Sequence, residues 1–425
     1  MLRRLMLLGG FWWLMVILPA TAPAKSENVR EMLQRFSIEG SHLATLVDGR
    51  SLSAAELPLL MRLLLRVGTI PQAELERLAQ PTFDLDALRK NPAARRGEID
   101  RLVGQVVAVE PCMAPAPLVE RFGFEQYYRC ELKLSGSATP VVVYTRLVPE
   151  AWREGGEIQQ RGGALGIFLK LSSTDPALPA PLFVASRLAW YRADLLGDLA
   201  MDFGLLSTLK GNRPLLGEEQ EAFYQTLAAV GRAKPGELLR QADAELHRSG
   251  RRNVSVVPLF NQPDQQTGRL VVLEGSARSV VEVPVDDPEL AARFGISHYY
   301  QITLFTYGTP RQSDADSQGN PLVVCVRELP SGMPIGDDPG YAAHVRVAGF
   351  YFKKWSYPIS RPGEKSVLQL APLVIGQQPV WHAAAGQPWG WISQVSAAAL
   401  LVLGVLLLCR IAAGGVFARM LSSHR

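Results

Sequence analysis

The chain states one pattern twice, and that repetition constrains its fold more than any other feature. Arg50-Ser51-Leu52, Glu56, Val67-Gly68 and Glu74-Leu75 return as Arg213-Pro214-Leu215, Glu219, Val230-Gly231 and Glu237-Leu238, each 163 positions later. Gly97 and Gly104 answer to Gly268 and Gly275. Phe122-Gly123 with Tyr127-Tyr128 answers to Phe294-Gly295 with Tyr299-Tyr300. Pro140, Val142, Arg146 and Pro149 match Pro321, Val323, Arg327 and Pro330. Gly166 and Lys170 match Gly349 and Lys353, and Ala180-Pro181-Leu182 with Trp190 matches Ala371-Pro372-Leu373 with Trp381. The order never changes, and the spacing grows only in steps, as insertions in loops produce. A chain of 425 residues built this way holds two copies of one unit rather than a single large core.

Each copy opens helical. Ser53-Ala54-Ala55-Glu56 has the form of a capping box, and Leu57, Leu60, Met61 and Leu64 share one helical face. Phe223, Leu227 and Val230 repeat it, and a following helix carries Leu238, Leu239, Ala242 and Leu246. Short β-rich runs broken by Gly and Pro come next: Val106–Val109, Tyr128–Leu134, Val141–Tyr144, Leu165–Leu171 and Ala180–Val184 in the first copy. The second has Leu270–Leu273, Tyr299–Phe305, Leu322–Val326, Val345–Phe352 and Leu370–Ile375. The expected fold class is α+β, with two tandem units, each a helical pair followed by a small β-barrel or curled sheet. Closure would make it OB-like and remove costly sheet edges; an open α+β sandwich is the alternative. The helical segments fall at 25–96 and 192–267, and the β-rich domains at 97–191 and 268–382.

The two ends speak of a membrane. Arg3 and Arg4 precede an apolar run, Leu5–Leu18, with small residues at Ala22-Pro23-Ala24, as in a secretory signal over 1–24; an uncleaved anchor is the alternative. Ala383–Cys409 carries no charge, enough to cross about 30 Å of hydrocarbon at roughly 1.5 Å per residue. A juxtamembrane stretch, 383–389, would lead into a C-terminal transmembrane helix over 390–410. Trp389 and Trp391 suit the interface; Arg410 at the end of the helix, with Arg419 and Arg425 beyond it, suits a cytoplasmic tail over 411–425. The expected localisation is single-pass in a membrane, with the bulk periplasmic or extracellular.

Charge argues against one class of partner. The chain has 44 basic and 40 acidic side chains, but the five terminal arginines leave the body balanced. A neutral body has no electrostatic footprint for nucleic acid. Catalytic signatures are missing too: no Gly-x-Ser-x-Gly, no His-Glu-x-x-His, no phosphate-cradling loop. His42, His247, His298, His344, His382 and His424 stand far apart without ligand spacing, so neither metal nor cofactor is expected. Asp314–Asn320 opens like an EF-hand loop, but Cys325 stands where the bidentate Glu belongs, and a polar hairpin loop is the simpler reading.

The most distinctive stretch is Gly349–Tyr357. On a regular strand Phe350 and Phe352 face one side, Tyr351 and Lys353 the other. Core packing accounts for the positions shared with Gly166–Leu171. A binding reading places Tyr351, Lys353, Lys354 and Trp355 on a partner-facing surface, with Tyr299 and Tyr300 nearby, through stacking and cation–π contacts. Arg146 and Arg327 each follow an apolar strand and read as salt-bridge formers. Cys112 and Cys130 are close enough to form a disulfide in an oxidising compartment, unless they face opposite sides of a sheet. There are four cysteines and none forms a Cys-x-x-Cys pair.

The strings Phe294-Gly295 with Tyr299-Tyr300, Val347–Trp355 and Ala371–Gly376 resemble membrane-anchored envelope proteins of planctomycete-type bacteria. That resemblance implies an envelope location and brings no known activity with it. The expected function is non-catalytic: a membrane-tethered module that binds or assembles another envelope component. A membrane-tethered hydrolase with a dispersed site and an OB-like binder of oligonucleotide or oligosaccharide are the alternatives.

Overall fold

Closure of each sheet on itself organises the molecule. The computed structural model describes residues 28–137, 139–172, 179–250, 255–306, 320–359 and 367–382. The signal-like start, residues 314–319 of the acidic loop and the apolar segment 390–410 lie outside them. Among the described residues no helix is long and apolar enough to cross a membrane.

The first half contains β1 (Ile99–Met113), β2 (Gln126–Leu134), β3 (Val141–Thr145), β4 (Gly156–Ser172), β5 (Ala180–Ala185) and β6 (Ala189–Tyr191). They lie in the order β1-β2-β3-β5-β4-β6, and β1 also pairs with β4. Five strands therefore form a ring, with β6 on its flank. The second half contains β7 (Leu270–Pro284), β8 (His298–Thr306), β9 (Leu322–Val326), β10 (Ala343–Ile359), β11 (Val367–Gly376) and β12 (Val380–His382). Its strands pair in the equivalent order, β10 and β11 included. In both rings one pair is parallel, β3 with β5 and β9 with β11. The chain is thus α+β with two six-stranded sheets of one topology, which fits two copies of a sheet domain.

A ring this small needs long strands that bend. β1 serves β4 with its N-terminal part and β2 with its C-terminal part, and a bulge between Val106 and Ala108 lets it turn. β7 has its bulge at the matching place, between Ala277 and Ser279. Next to each bend stands a glycine the crossing requires. A Cβ on Gly104 would lie 2.3 Å from the carbonyl oxygen of Lys133, and one on Gly275 2.2 Å from that of Phe305.

Alternation along the strands gives each half two cores. Leu102, Val106, Cys130, Val143, Phe168 and Phe183 fill the first ring. Tyr127, Val142, Tyr144, Ile167 and Val184 face outward onto Leu60, Met61 and Leu64 of the helix Leu57–Val67. The second ring is filled by Ile302, Leu304, Val324, Tyr351 and Val374. Its outer face packs Val323, Phe350, Phe352 and Leu373 on Phe223, Leu227 and Val230 of the helix Gln220–Gly231. Each such burial contributes about 1.5–3 kcal/mol. Leu88 packs into the first ring's core, and Leu259 and Phe260 into the second's. β3 and β9 are buried at every position, because both of their faces meet apolar neighbours.

One charged contact in each half passes through this apolar layer. A bulge between Phe168 and Lys170 turns Lys170 toward the helices, where its Nζ lies 2.8 and 2.9 Å from the two carboxylate oxygens of Glu56. The bulge between Tyr351 and Lys353 does the same, and Lys353 Nζ lies 2.8 and 2.7 Å from the oxygens of Glu219. Both lysines are buried. Glu56 also accepts the N–H groups of Val47 and Ser53, and Glu219 those of Lys210 and Leu216. Only half of the expected capping box forms, since the Ser53 hydroxyl donates to Glu56 itself. Burial pushes the Glu56 carboxyl up, but Lys170 and the N–H donors outweigh it and hold it down at about 2. Glu219 is held low by the same balance of burial against its backbone donors and Lys353.

Removing one member of a buried pair leaves a charge without a partner, at a cost of about 3–5 kcal/mol. Lys170→Met should lower stability to urea by that order, and adding Glu56→Gln should restore a substantial part. The acid response follows from the depressed carboxyl. The Glu56 contribution is complete above its ordinary value of 4.5 and is lost as pH falls towards about 2, so Glu56→Gln should flatten acid unfolding in that window.

Candidate functional site

The six residues expected to share a binding face do not share one. Tyr351 points into the second ring, with its hydroxyl donating to the Leu259 carbonyl at 3.3 Å. Lys353 is buried against Glu219, and the bulge is why: Phe352 is the extra residue, and it throws the alternation out of phase. Trp355 and Tyr299 pack on the helix side of the sheet, Trp355 stacked on Tyr357 at 5.5 Å and Tyr299 edge-on to Phe223 at 5.4 Å. Tyr300 packs against the ring's core and His298. Lys354 is half-buried and donates to the Phe260 carbonyl at 3.3 Å. Core and tether roles explain this stretch.

Two further expectations are corrected. Cys112 and Cys130 are free thiols: Cys112 packs toward the helices and Cys130 inside the ring, so the sheet separates them. Burial pushes both thiols up, which makes them poor nucleophiles. Arg146 lies over the Phe124 ring at 4.3 Å, and Arg327 donates to the Gly295 carbonyl at 3.1 Å; among the described residues neither forms the salt bridge its position suggests.

The polar chemistry gathers instead where the halves meet. Arg293, at the end of the helix Pro288–Phe294, holds one carboxylate from each half. Its Nε is 2.7 Å from Glu76 of the helix Gln72–Leu78, and its Nη1 is 2.5 Å from Glu221. Burial would lower the pKa of this guanidinium, but the two carboxylates outweigh it and raise it. Trp190 bridges the seam, with Trp152 at 5.6 Å and Phe203 at 5.8 Å.

Above these contacts opens a cleft of about 320 Å³ whose walls carry Arg101, Arg187, Tyr191, Asp202 and Arg232. Asp202 is saturated: one oxygen accepts the N–H groups of Trp190 and Gly204, both at 2.9 Å, and the other lies 2.9 Å from Arg187. Burial raises its pKa against the pull of Arg187 and those donors. Arg232 donates to the Leu199 carbonyl, and Arg101 is exposed. Among the described residues neither meets a carboxylate within salt-bridge distance. No group of His, Cys, Asp and Glu among the described residues is placed to hold a metal ion. What this arrangement can do is recognise negative charge from two walls at once.

No protein-family model matches the chain, and no curated protein matches it. Sequence reasoning missed the cleft because its residues are scattered between Gln72 and Phe294 and form no motif. One signal was present: Arg101 falls at a position where the second copy has Val272. An unmatched charge on an otherwise shared strand marks divergence between the copies.

Two adjacent lysines separate the core reading from the surface reading. Lys353→Met should cost about 3–5 kcal/mol, measured by thermal or urea unfolding, whereas Lys354→Met should stay within about 1 kcal/mol.

Proposed function

We propose that the chain is a non-catalytic, membrane-tethered envelope module that binds another envelope component, and that the seam cleft is its recognition surface. The signal-like start, the uncharged C-terminal segment and the resemblance to envelope proteins support the location. The single observation that carries the binding role is the cleft itself: it is concave and polar, and Arg293, which pairs with a carboxylate of each half, is part of its lining. Preformed pockets with a few convergent polar groups are where ligands are usually taken.

The ring order, with its parallel third and fifth strands, is read here as OB-like. Such barrels bind oligonucleotides and oligosaccharides on the face of their second and third strands. In this protein Tyr127, Val142 and Tyr144 occupy that face, and the chain's own helices bury them. In the second ring Phe223 covers Tyr299 in the same way. A nucleic-acid or glycan reading would have to use some other surface. The hydrolase reading meets a similar difficulty, because the perturbed carboxylate in the cleft, Asp202, already has both oxygens engaged.

Photo-crosslinking in intact envelopes tests the proposal. A photoreactive side chain at Val103, partly exposed in the cleft wall, should capture a discrete envelope component. The same group at Met113, at the far end of β1 and 66% exposed, should not. Equal capture from both positions, or none from Val103, would refute the recognition role of the cleft.

A further inference from the structure

The cleft exists because the two halves differ in the length of one helix. In the second half Glu237–Arg248 runs for 12 residues. Its Leu238 and Ala242 share a buried cluster with Val272 of β7 and Ala348 of β10. Arg346 of β10 donates to Asp243 at 3.2 Å, sealing the edge of that contact. In the first half the matching helix Gln72–Leu78 stops after 7 residues, and the chain turns away to bridge Gln80 with Asp100.

The consequence is read directly from the strand registers. Arg101 pairs with Leu165 across β1 and β4, and Val272 pairs with Ala348 across β7 and β10. The two pairs occupy the same place in their rings, counted from Gly104 and Gly275 and from Gly166 and Gly349. Gly163 likewise takes the place of Arg346. In the second half this patch is apolar, helix-covered and edged by an ion pair. In the first Leu165 is still buried in the helix-side cluster, but Arg101 stands exposed where the second copy has an aliphatic residue, and Gly163 lets the Tyr191 ring close against the strand. The exposed charge of Arg101 is what the first half adds at this place.

The remaining charges are already committed. Glu76 belongs to Arg293 and Asp202 to Arg187, so the acids of the cleft do not neutralise Arg101 or Arg232. The two guanidiniums approach from different halves, one on β1 and one just past the end of the helix Gln220–Gly231; Arg232 gives its Nε and one Nη to the Leu199 carbonyl, which fixes its place in the wall and leaves its other Nη for a ligand. Guanidinium groups suit planar and tetrahedral oxyanions through paired N–H donors.

We propose that the seam cleft binds a compact oxyanion, a phosphate or carboxylate group, held between Arg101 of the first half and Arg232 of the second. The proposal rests on reading the cleft as a recognition surface and names the chemistry of what it recognises. A group bound there contacts both halves, so it also couples them and raises the stability of their association.

Calorimetric titration of the full-length, detergent-solubilised chain with inorganic phosphate and, separately, with succinate tests this at constant ionic strength. Saturable binding is expected from at least one, and the tighter of the two identifies the source of the charge. Arg101→Gln should weaken that binding at least tenfold with an unchanged melting temperature, since the exposed Arg101 side chain has no salt-bridge partner among the described residues. Arg232→Gln should weaken it as well. No saturable binding of either anion, or equal affinity in wild type and Arg101→Gln, would overturn the proposal. Anion binding without capture at Val103 would sink the envelope-partner reading and leave this one standing. Capture at Val103 that Arg101→Gln does not alter, with no anion bound, would do the reverse.

Discussion

Each half of this protein depends on one ion pair taken out of water. Lys170 with Glu56, and Lys353 with Glu219, cross the layer between ring and helices. Charges buried in that layer are tolerable only when paired and hydrogen-bonded. The carboxylates satisfy this, because each also collects two backbone N–H groups, one from the turn that starts its helix and one from nine residues before the glutamate. The pair therefore does more than attract. Any other seating of the helix on the ring would strand a charge and several backbone donors at once, so the contact fixes where the helices lie.

That constraint reaches the ring through the bulges. An extra residue in β4 and in β10 puts two successive side chains on the helix side, one apolar and one lysine. Phe352 adds to the apolar core, and Lys353 reaches the glutamate. Without the bulge, regular alternation would direct the lysine into the ring, among Tyr351, Val324 and Ile302, with no acid to meet it. The bulge, the buried lysine and the glutamate are one device, used twice.

With both halves built alike, what distinguishes them lies at their contact. Beside the shorter second helix of the first half, Arg101 and Val103 of β1 stay exposed, and residues of the second half line the cleft with them. Arg293 bolts the approach by holding Glu76 and Glu221 together. Its counterpart in the first copy, Arg121, lies over the ring of Phe122 just as Arg293 lies over that of Phe294. The aromatic contact is common to both copies, and the two carboxylates are what Arg293 adds at the junction of the halves.

Much of the fold was legible in the sequence because its signals are local and doubled. Alternation and the spacing of Gly and Pro placed the strands, and the shared apolar positions identified the helix faces. The strands proved longer than expected, since Gly104, Gly162 and Gly163 look like breaks along the chain yet lie within continuous β1 and β4. The aromatic-basic stretch misled for a related reason: a period of two cannot foresee a bulge. The sequence by itself therefore determined the class, the duplication and the composition of the cores, all of which follow from hydrophobic pattern. Tertiary structure alone decided which lysines are buried, that Cys112 and Cys130 are kept apart, and that arginines far apart in the chain share one cleft. Those outcomes depend on side chains brought together across long separations, and on a helix five residues shorter in one copy than in the other, which no local pattern records.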